Sequence, residues 1–180
     1  MRRKRDLTDE MLSRFKKGDE RAFHDLYEMY GDRALRLARV VTKDDGLAAD
    51  AVQEAFLRVY RYRRRYDASK PFSVWLNRIV VNECRRLMGR QKGLRLVAGA
   101  EHEMDMAVTD TSRYEEYETL YRALEGLPET QRVPLVLKYC NGCKEIEIAE
   151  ILDISHSAVK SRLYDGRKNL RKAMGREASR

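Results

Sequence analysis

Three prolines in 180 residues, and no stretch in which apolar and polar residues alternate, leave little opportunity for a sheet. Proline ends helices more sharply than any other residue, and period-two alternation marks a half-buried strand. Helix formers dominate the rest, so the chain is expected to be all-α. Hydrophobic residues make up 43% of it, enough for ordinary globular cores, and the length allows one medium domain or two small ones. No apolar run approaches the roughly 18 residues of a spanning helix. The basic start Met1-Arg2-Arg3-Lys4-Arg5 leads into polar Asp6-Leu7-Thr8-Asp9-Glu10, which is not a signal-peptide core. A cytoplasmic protein with no membrane insertion of its own is expected. Cys84, Cys140 and Cys143 are too few for a disulfide framework and are expected as reduced thiols.

The formal net charge of +8 is unevenly spread. Residues 61–92 carry ten Lys and Arg against two acidic residues, and residues 155–180 carry eight against two. Between them, residues 93–154 hold thirteen acidic residues against six basic ones. Two basic blocks around an acidic middle suit phosphate contacts at two places, since each neutralised phosphate releases condensed counterions. Two solvated, Arg-rich helix faces would give the same count.

Along the chain, Asp19 is a plausible N-cap for a first long helix with Phe23, Leu26, Tyr27, Tyr30, Leu37, Ala38 and Val41 on its apolar stripe and a potential break at Gly31. Lys43-Asp44-Asp45-Gly46 reads as a turn. A helix from about Leu47 to Arg63 places Ala48, Val52, Ala55, Val59 and Tyr62 on one face, with Asp50, Gln53, Glu54 and Arg58 on the other. Tyr66 to Pro71 is turn-rich, and Pro71 is placed to open a third helix from Phe72 through Trp75, Leu76, Ile79 and Val80 toward Leu87. Periodicity is lost from about Gly89 to Ser112. An acidic linker is therefore expected over residues 91–112, between domains at 1–90 and 113–180. Its Leu94, Leu96, Val97, Met104, Met106 and Val108 would let it dock rather than stay free. A helix is then expected from Tyr114 to Gly126, a break at Leu127-Pro128, and a further helix through Val133, Leu135, Val136 and Tyr139 that ends at Asn141-Gly142.

The segment Glu145 to Leu163 has the pattern of a helix-turn-helix. Ala149 is small where two helices would cross closely, Ile148 and Leu152 face a core from one helix, and Val159 and Leu163 face it from the next. Asp153 stands at the turn position where a left-handed backbone is often needed, and Ser155 is a good N-cap for the second helix. With Val159 and Leu163 inward, Ser157, Lys160, Ser161 and Tyr164 fall on the exposed side, where a recognition helix meets the major groove. Arg162, Arg167, Lys168 and Arg171 surround that side. Helical hairpins with a small crossing residue also occur in all-α proteins that bind no nucleic acid.

Glu147-Ile148-Ala149 to Ser155, followed by Val159-Lys160-Ser161-Arg162-Leu163, resembles region 4 of bacterial RNA polymerase sigma factors. Asp50-Ala51-Val52-Gln53-Glu54-Ala55-Phe56 resembles their region 2.2, and Phe72-Ser73-Val74-Trp75-Leu76 with Asn82 resembles the promoter-reading part of region 2. Leu124-x-x-Leu127-Pro128 is similar to the usual entry into region 4. The resemblance covers almost the whole chain in the expected order and leaves no room for further sigma regions, which points to the compact extracytoplasmic-function group of the sigma-70 family.

That resemblance implies two small helical domains joined by a flexible linker, and a protein that binds core RNA polymerase, recognises promoter DNA and helps open it. Asp50, Gln53, Glu54 and Phe56 would dock on the clamp helices of the largest polymerase subunit, with region 4 near the flap. Arg58, Tyr66, Asn82, Arg85 and Arg86 would handle the −10 element: Tyr66 can stack on an unpaired base, Asn82 can hydrogen-bond its edge, and arginines meet phosphates. Trp75 belongs more naturally to the core. Ser157, Lys160, Ser161, Arg162, Tyr164 and Arg167 would serve the −35 element, with Lys160, Ser161 and Tyr164 nearest the bases. An anti-sigma factor is a further partner implied by the resemblance. Asp165 stands where a basic residue is common, Ala158 replaces a frequent Thr, and Arg86 occupies a place often held by Asp, so the promoter sequence stays open.

Cys140-Asn141-Gly142-Cys143 is a C-x-x-C pair. Zinc needs four ligands, and His24, His102 and His156 are scattered, so two small buried thiols are favoured over a metal site or a redox switch. No phosphate loop, nucleophile elbow or HExxH helix is present. No catalysis, cofactor or metal is expected. The rival reading, a free-standing helix-turn-helix regulator that binds DNA as a dimer, would have no use for the Asp50 to Phe56 face.

Overall fold

The computed structural model describes residues 8–98 and 118–177, all helix and short connections with no strand among them. The first unit contains α1 (Asp9–Lys17), α2 (Glu20–Thr42), α3 (Asp45–Arg61), a single 3-10 turn (Arg63–Arg65) and α4 (Phe72–Ala98). The second contains α5 (Glu118–Glu125), α6 (Glu129–Tyr139), α7 (Glu145–Leu152) and α8 (His156–Glu177).

Short polar side chains set the helix starts. Asp19 Oδ1 accepts from the Ala22 N–H at 3.0 Å and Asp44 Oδ1 from the Leu47 N–H at 2.8 Å, which supplies first-turn amides that lack intrahelical partners. The turn expected over Lys43–Gly46 narrows to two residues: Lys43 ends α2 with φ 56° and Asp44 already caps α3. Helix α2 runs unbroken through Gly31. A helical glycine costs about 1 kcal/mol relative to alanine, and burial of Leu26, Ala34, Leu37 and Ala38 on either side outweighs it. Helix α1 was not anticipated, because nine residues with only Leu12 and Phe15 buried carry too short an apolar stripe to stand out. Phe15 is nevertheless fully buried, 6.2 Å from the Phe23 ring and edge-on to Phe72 at 5.9 Å.

Helices α2, α3 and α4 pack mutually around Leu26, Leu37, Val52, Val59, Leu76 and Val80. Helix α4 is longer than the expected third helix. The linker expected over 91–112 thus begins as helix up to Ala98, and the rest of it lies outside the described residues, as does the start of the helix expected from Tyr114.

In the second unit α8 lies across α6 and α7. Asp153 holds the turn with φ 56° and ψ 51°, and Ser155 Oγ accepts from the Ala158 N–H at 3.1 Å to cap α8. Ile148, Leu152, Val159 and Leu163 are buried as their spacing requires, with Ala149 at the crossing. Close approach of α6 and α8 depends on Gly166: a Cβ there would lie 3.1 Å from Leu135 Cδ1 and 3.3 Å from the Gln131 carbonyl oxygen.

The two units pack on each other through α2 with α6 and α4 with α7. Arg132 of α6 donates to the carbonyls of Val40 and Val41 at the end of α2, and Lys43 donates to the Glu125 carbonyl at the end of α5. Asn77 of α4 donates to Cys143 Sγ at 3.5 Å and accepts from Asn141 Nδ2 at 3.0 Å. Ion pairs Arg85–Glu129, at 3.3 Å, and Lys70–Glu150 complete the contact.

Candidate nucleic-acid and partner interfaces

Helix α3 turns Asp50 and Gln53 to solvent with Glu54 half-buried beside them. Phe56, expected on this outer face, is instead 3% exposed and packs edge-on against Tyr27 at 4.8 Å and Phe23 at 6.3 Å. The reason is periodic: Phe56 is four residues after Val52 and so shares its inward face. The apolar member of the outer face is Leu57, 56% exposed and four residues after Gln53, with Tyr27 also exposed nearby on α2. Sequence reasoning missed Leu57, although its i+4 and i+7 offsets from Gln53 and Asp50 were available. The resulting surface pairs carboxylates with exposed apolar carbon, a composition suited to a basic, partly apolar helical partner.

The Tyr66 to Phe72 loop is held from inside. Tyr66 is 2% exposed, its ring 5.5 Å from Phe72 and 5.3 Å from Trp75, and its hydroxyl donates to the Lys70 carbonyl at 2.6 Å. Burial raises its phenol pKa above the ordinary value. In this conformation Tyr66 braces the loop and offers no ring for a base to stack on, which corrects the expectation for it. A tyrosine beside Phe72 and Trp75 buries its ring while keeping its hydroxyl paired, and sequence alone does not decide between that and exposure. Trp75 packs partly buried against the core, as expected. Aromatic surface at this edge comes from Tyr62, 38% exposed and covered by the Arg65 guanidinium 5.1 Å from its ring centroid. Tyr62, expected on the inner face of α3, instead stands at the C-cap, where the helix has already ended.

Asn82 and Arg85 are exposed on α4, and Arg86 is half-buried. Arg58 Nε of α3 and Arg86 Nε of α4 both bond the buried carboxylate of Glu83, at 2.6 Å and 2.7 Å. The structure therefore brings Arg58 and Arg86 together at one edge formed by α3 and α4, with the buried Glu83 between them and Asn82 one turn before Arg86. Arg85 is not part of this edge: it turns toward α6, where it pairs with Glu129.

On α8, Ser157, Lys160, Ser161, Tyr164 and Arg167 are exposed and Arg162 is half-buried, so all six expected residues fall on or beside one face. Ser157 Oγ lies 2.9 Å from Ser155 Oγ at the helix start, and Arg167 donates to the Tyr139 hydroxyl at 3.3 Å. This face has hydroxyls and a lysine at its centre and guanidiniums at its border, a composition suited to a recognition helix.

Of the C-x-x-C pair, Cys143 is buried and its thiol is pushed up to about 11 by burial. Cys140 is exposed, contrary to expectation, because it caps the end of α6 and not its interior. Among the described residues no group of three or more His, Cys, Asp and Glu could hold a metal ion, and no helix is long and apolar enough to cross a membrane.

Residues 26–93 match the family description "Sigma-70 region 2", and residues 117–170 match "Sigma-70, region 4". The chain is 33% identical over 183 residues to the ECF RNA polymerase sigma factor SigW of Bacillus subtilis (strain 168), covering 91% of this chain and 94% of that one. It is 31% identical over 176 residues to the ECF RNA polymerase sigma-E factor of Escherichia coli (strain K12), covering 89% and 91%. In fold it is similar to the sigma factor RpoE in its complex with the anti-sigma factor NepR from Bartonella quintana, with a TM-score of 0.74 at 19% identity over 85% of this chain and 96% of that one. It is also similar to CnrH in complex with the cytosolic domain of CnrY, with a TM-score of 0.66 at 24% identity over 92% and 95%. Both sequence regions, their order and nearly full-length relatives agree with the helix-turn-helix geometry of α7 and α8: the chain belongs to the sigma-70 family, as an ECF-type RNA polymerase sigma factor of transcription initiation.

Proposed function

We propose that this chain divides the work of a sigma factor among three surfaces. Asp50, Gln53, Glu54 and Leu57 on α3 bind core RNA polymerase at its clamp helices. The α3–α4 edge with Arg58, Asn82 and Arg86 engages the −10 element during opening, with Arg85 adding a cation from the side of α4 that faces α6. The exposed face of α8, from Ser157 to Arg167, reads the −35 element, with the second domain near the flap. The linker over 91–112 separates the domains for simultaneous engagement, which raises the effective concentration of the second site once the first is bound. An anti-sigma factor is the partner that would hold the free protein inactive. The chain adds no catalytic group of its own, polymerisation belonging to the core enzyme, and it acts in the cytoplasm where that enzyme is.

The observation that carries this reading is the recognition-helix geometry: Asp153 in the left-handed region and Ser155 capping α8 turn Lys160, Ser161 and Tyr164 outward together. A dimeric regulator would have no use for the acidic and apolar face of α3. The test is in vitro transcription with purified core polymerase on a genomic template pool. Promoter-dependent initiation that requires this chain is the expected result, and its absence on every template would overturn the reading.

A further inference from the structure

Glu83 is the acidic residue buried among the described residues, 2% exposed on the side of α4 that packs against α3. A buried carboxylate stays ionised only where cations or donors compensate it. Here each oxygen takes one guanidinium: Oε1 accepts from Arg58 Nε at 2.6 Å and Oε2 from Arg86 Nε at 2.7 Å. The two arginines come from different helices and remain 43% and 33% exposed in their side chains. Arg86 lies four residues after Asn82 and shares its face of α4, whereas Arg58 would be free to sweep over the end of α3 without the acid beneath it.

A negative charge under a DNA-facing surface weakens attraction to phosphate, so an acid retained there has to serve something other than bulk affinity. Arginine carries substantial rotamer entropy, and a guanidinium held in place before DNA arrives loses less on binding. We propose that Glu83 is a positioning residue for promoter recognition: it fixes Arg58 and Arg86 beside Asn82 as a preset cationic edge for the unpaired strand at the −10 element. Specificity is gained at the expense of non-specific affinity. The inference rests on the assignment of the α3–α4 edge to DNA given above.

The test uses the full chain assembled with core polymerase. The probes are a duplex recovered by the wild-type holoenzyme from a random-sequence pool and an unrelated duplex of equal length. Affinities are read at several salt concentrations, and opening is read from permanganate reactivity of unpaired thymines. Glu83→Gln is expected to lower the ratio of selected to unrelated binding, and opening with it, by about tenfold, the scale of one charge-assisted contact. Binding to the unrelated duplex should stay level or tighten, because one negative charge is gone. In a chain already carrying Arg58→Ala and Arg86→Ala, Glu83→Gln should add no further loss. A preserved ratio, an equal loss on both duplexes, or an additional loss in the arginine-free background would overturn the proposal. If Arg58→Ala with Arg86→Ala leaves the ratio unchanged, the assignment of this edge to DNA fails as well, which separates the two failures. Should Glu83→Gln lose helicity or polymerase binding, Arg86→Lys decides: it keeps the charge and removes the planar fork, so positioning predicts a lowered ratio and a purely electrostatic role predicts none.

Discussion

Arg132 donates from one terminal nitrogen to the main-chain carbonyl of Val41 at 3.0 Å, across the boundary between the two helical units. The carbonyls of Val40 and Val41 lie in the last turn of α2, where helical backbone acceptors have no partner within their own helix. Arg132 thus acts as a C-terminal cap supplied by the other unit, and its other terminal nitrogen also fixes the Leu127 carbonyl at 3.1 Å. Lys43 returns the arrangement at the end of α5. Burial pushes both side chains below their ordinary pKa, the cost of taking each cation from water.

Replacing Arg132 with Met removes these donors and leaves the α2 carbonyls unpaired for as long as the units stay together. Losing hydrogen bonds to a buried charged group costs about 1.5–3 kcal/mol each, so the units should separate. Small-angle scattering should show a larger radius of gyration, and Cys143, buried where Asn77 meets it, should react faster with a thiol reagent. Unchanged scattering and labelling would refute the capping role.

Leu57→Asp, and separately Asp50→Arg with Glu54→Arg, should each weaken binding to core polymerase by tenfold or more, the scale of the few residues that dominate an interface, at ~2 kcal/mol or above. Helical content should hold, because Leu57 and Asp50 are exposed. Phe56→Ala should instead lower the melting temperature, its ring being core, with a loss of about 3–5 kcal/mol. A binding titration and a thermal melt on the same preparations check both.

At Asp153 the left-handed backbone sets the order of tolerated residues. Glycine there should be neutral or stabilising, whereas valine should destabilise the second unit by about 1–2 kcal/mol, the penalty of a β-branched residue in that region. Thermal melts of the two variants should move in opposite directions or differ by several degrees, and equal melts would contradict the geometry.

Cys84 and Cys143 contribute to the alkaline pH dependence of stability. Burial pushes their thiols up to about 12 and about 11, from an ordinary value near 9. A group whose folded pKa is raised holds its proton longer in the native state, so the stabilisation is complete below pH 9 and is lost as pH rises toward 11 and 12. Each thiol contributes a slope of at most about 1.4 kcal/mol per pH unit. Cys84→Ala should lose a little stability at pH 8 yet flatten the decline between pH 9 and 11, measured by denaturant unfolding in reducing buffer against the unaltered chain.

Local chemistry made much of the fold legible. Asp19 and Ser155 cap helices as their side chains require, Asp153 takes the left-handed turn, and the outward residues of α8 follow directly from the inward spacing of Val159 and Leu163. Less legible were residues whose role depends on a neighbour far along the chain. Tyr66, expected outward, is core because Phe72 and Trp75 close over it, whereas the burial of Phe56 was already implied by its i+4 spacing from Val52. Glu83 and Leu57 were passed over, the first because its two arginine partners converge only when α3 meets α4.

By itself, then, the sequence determined most of the helices, the Asp19 and Ser155 caps, the two basic blocks and the family, since these depend on residue type and short-range spacing. The tertiary structure decided which of two adjacent side chains faces water, which acid gathers the arginines, and how each unit caps the other's helix ends. Those outcomes depend on desolvation and on polar groups paired across distant segments, and neither exists until the helices have packed.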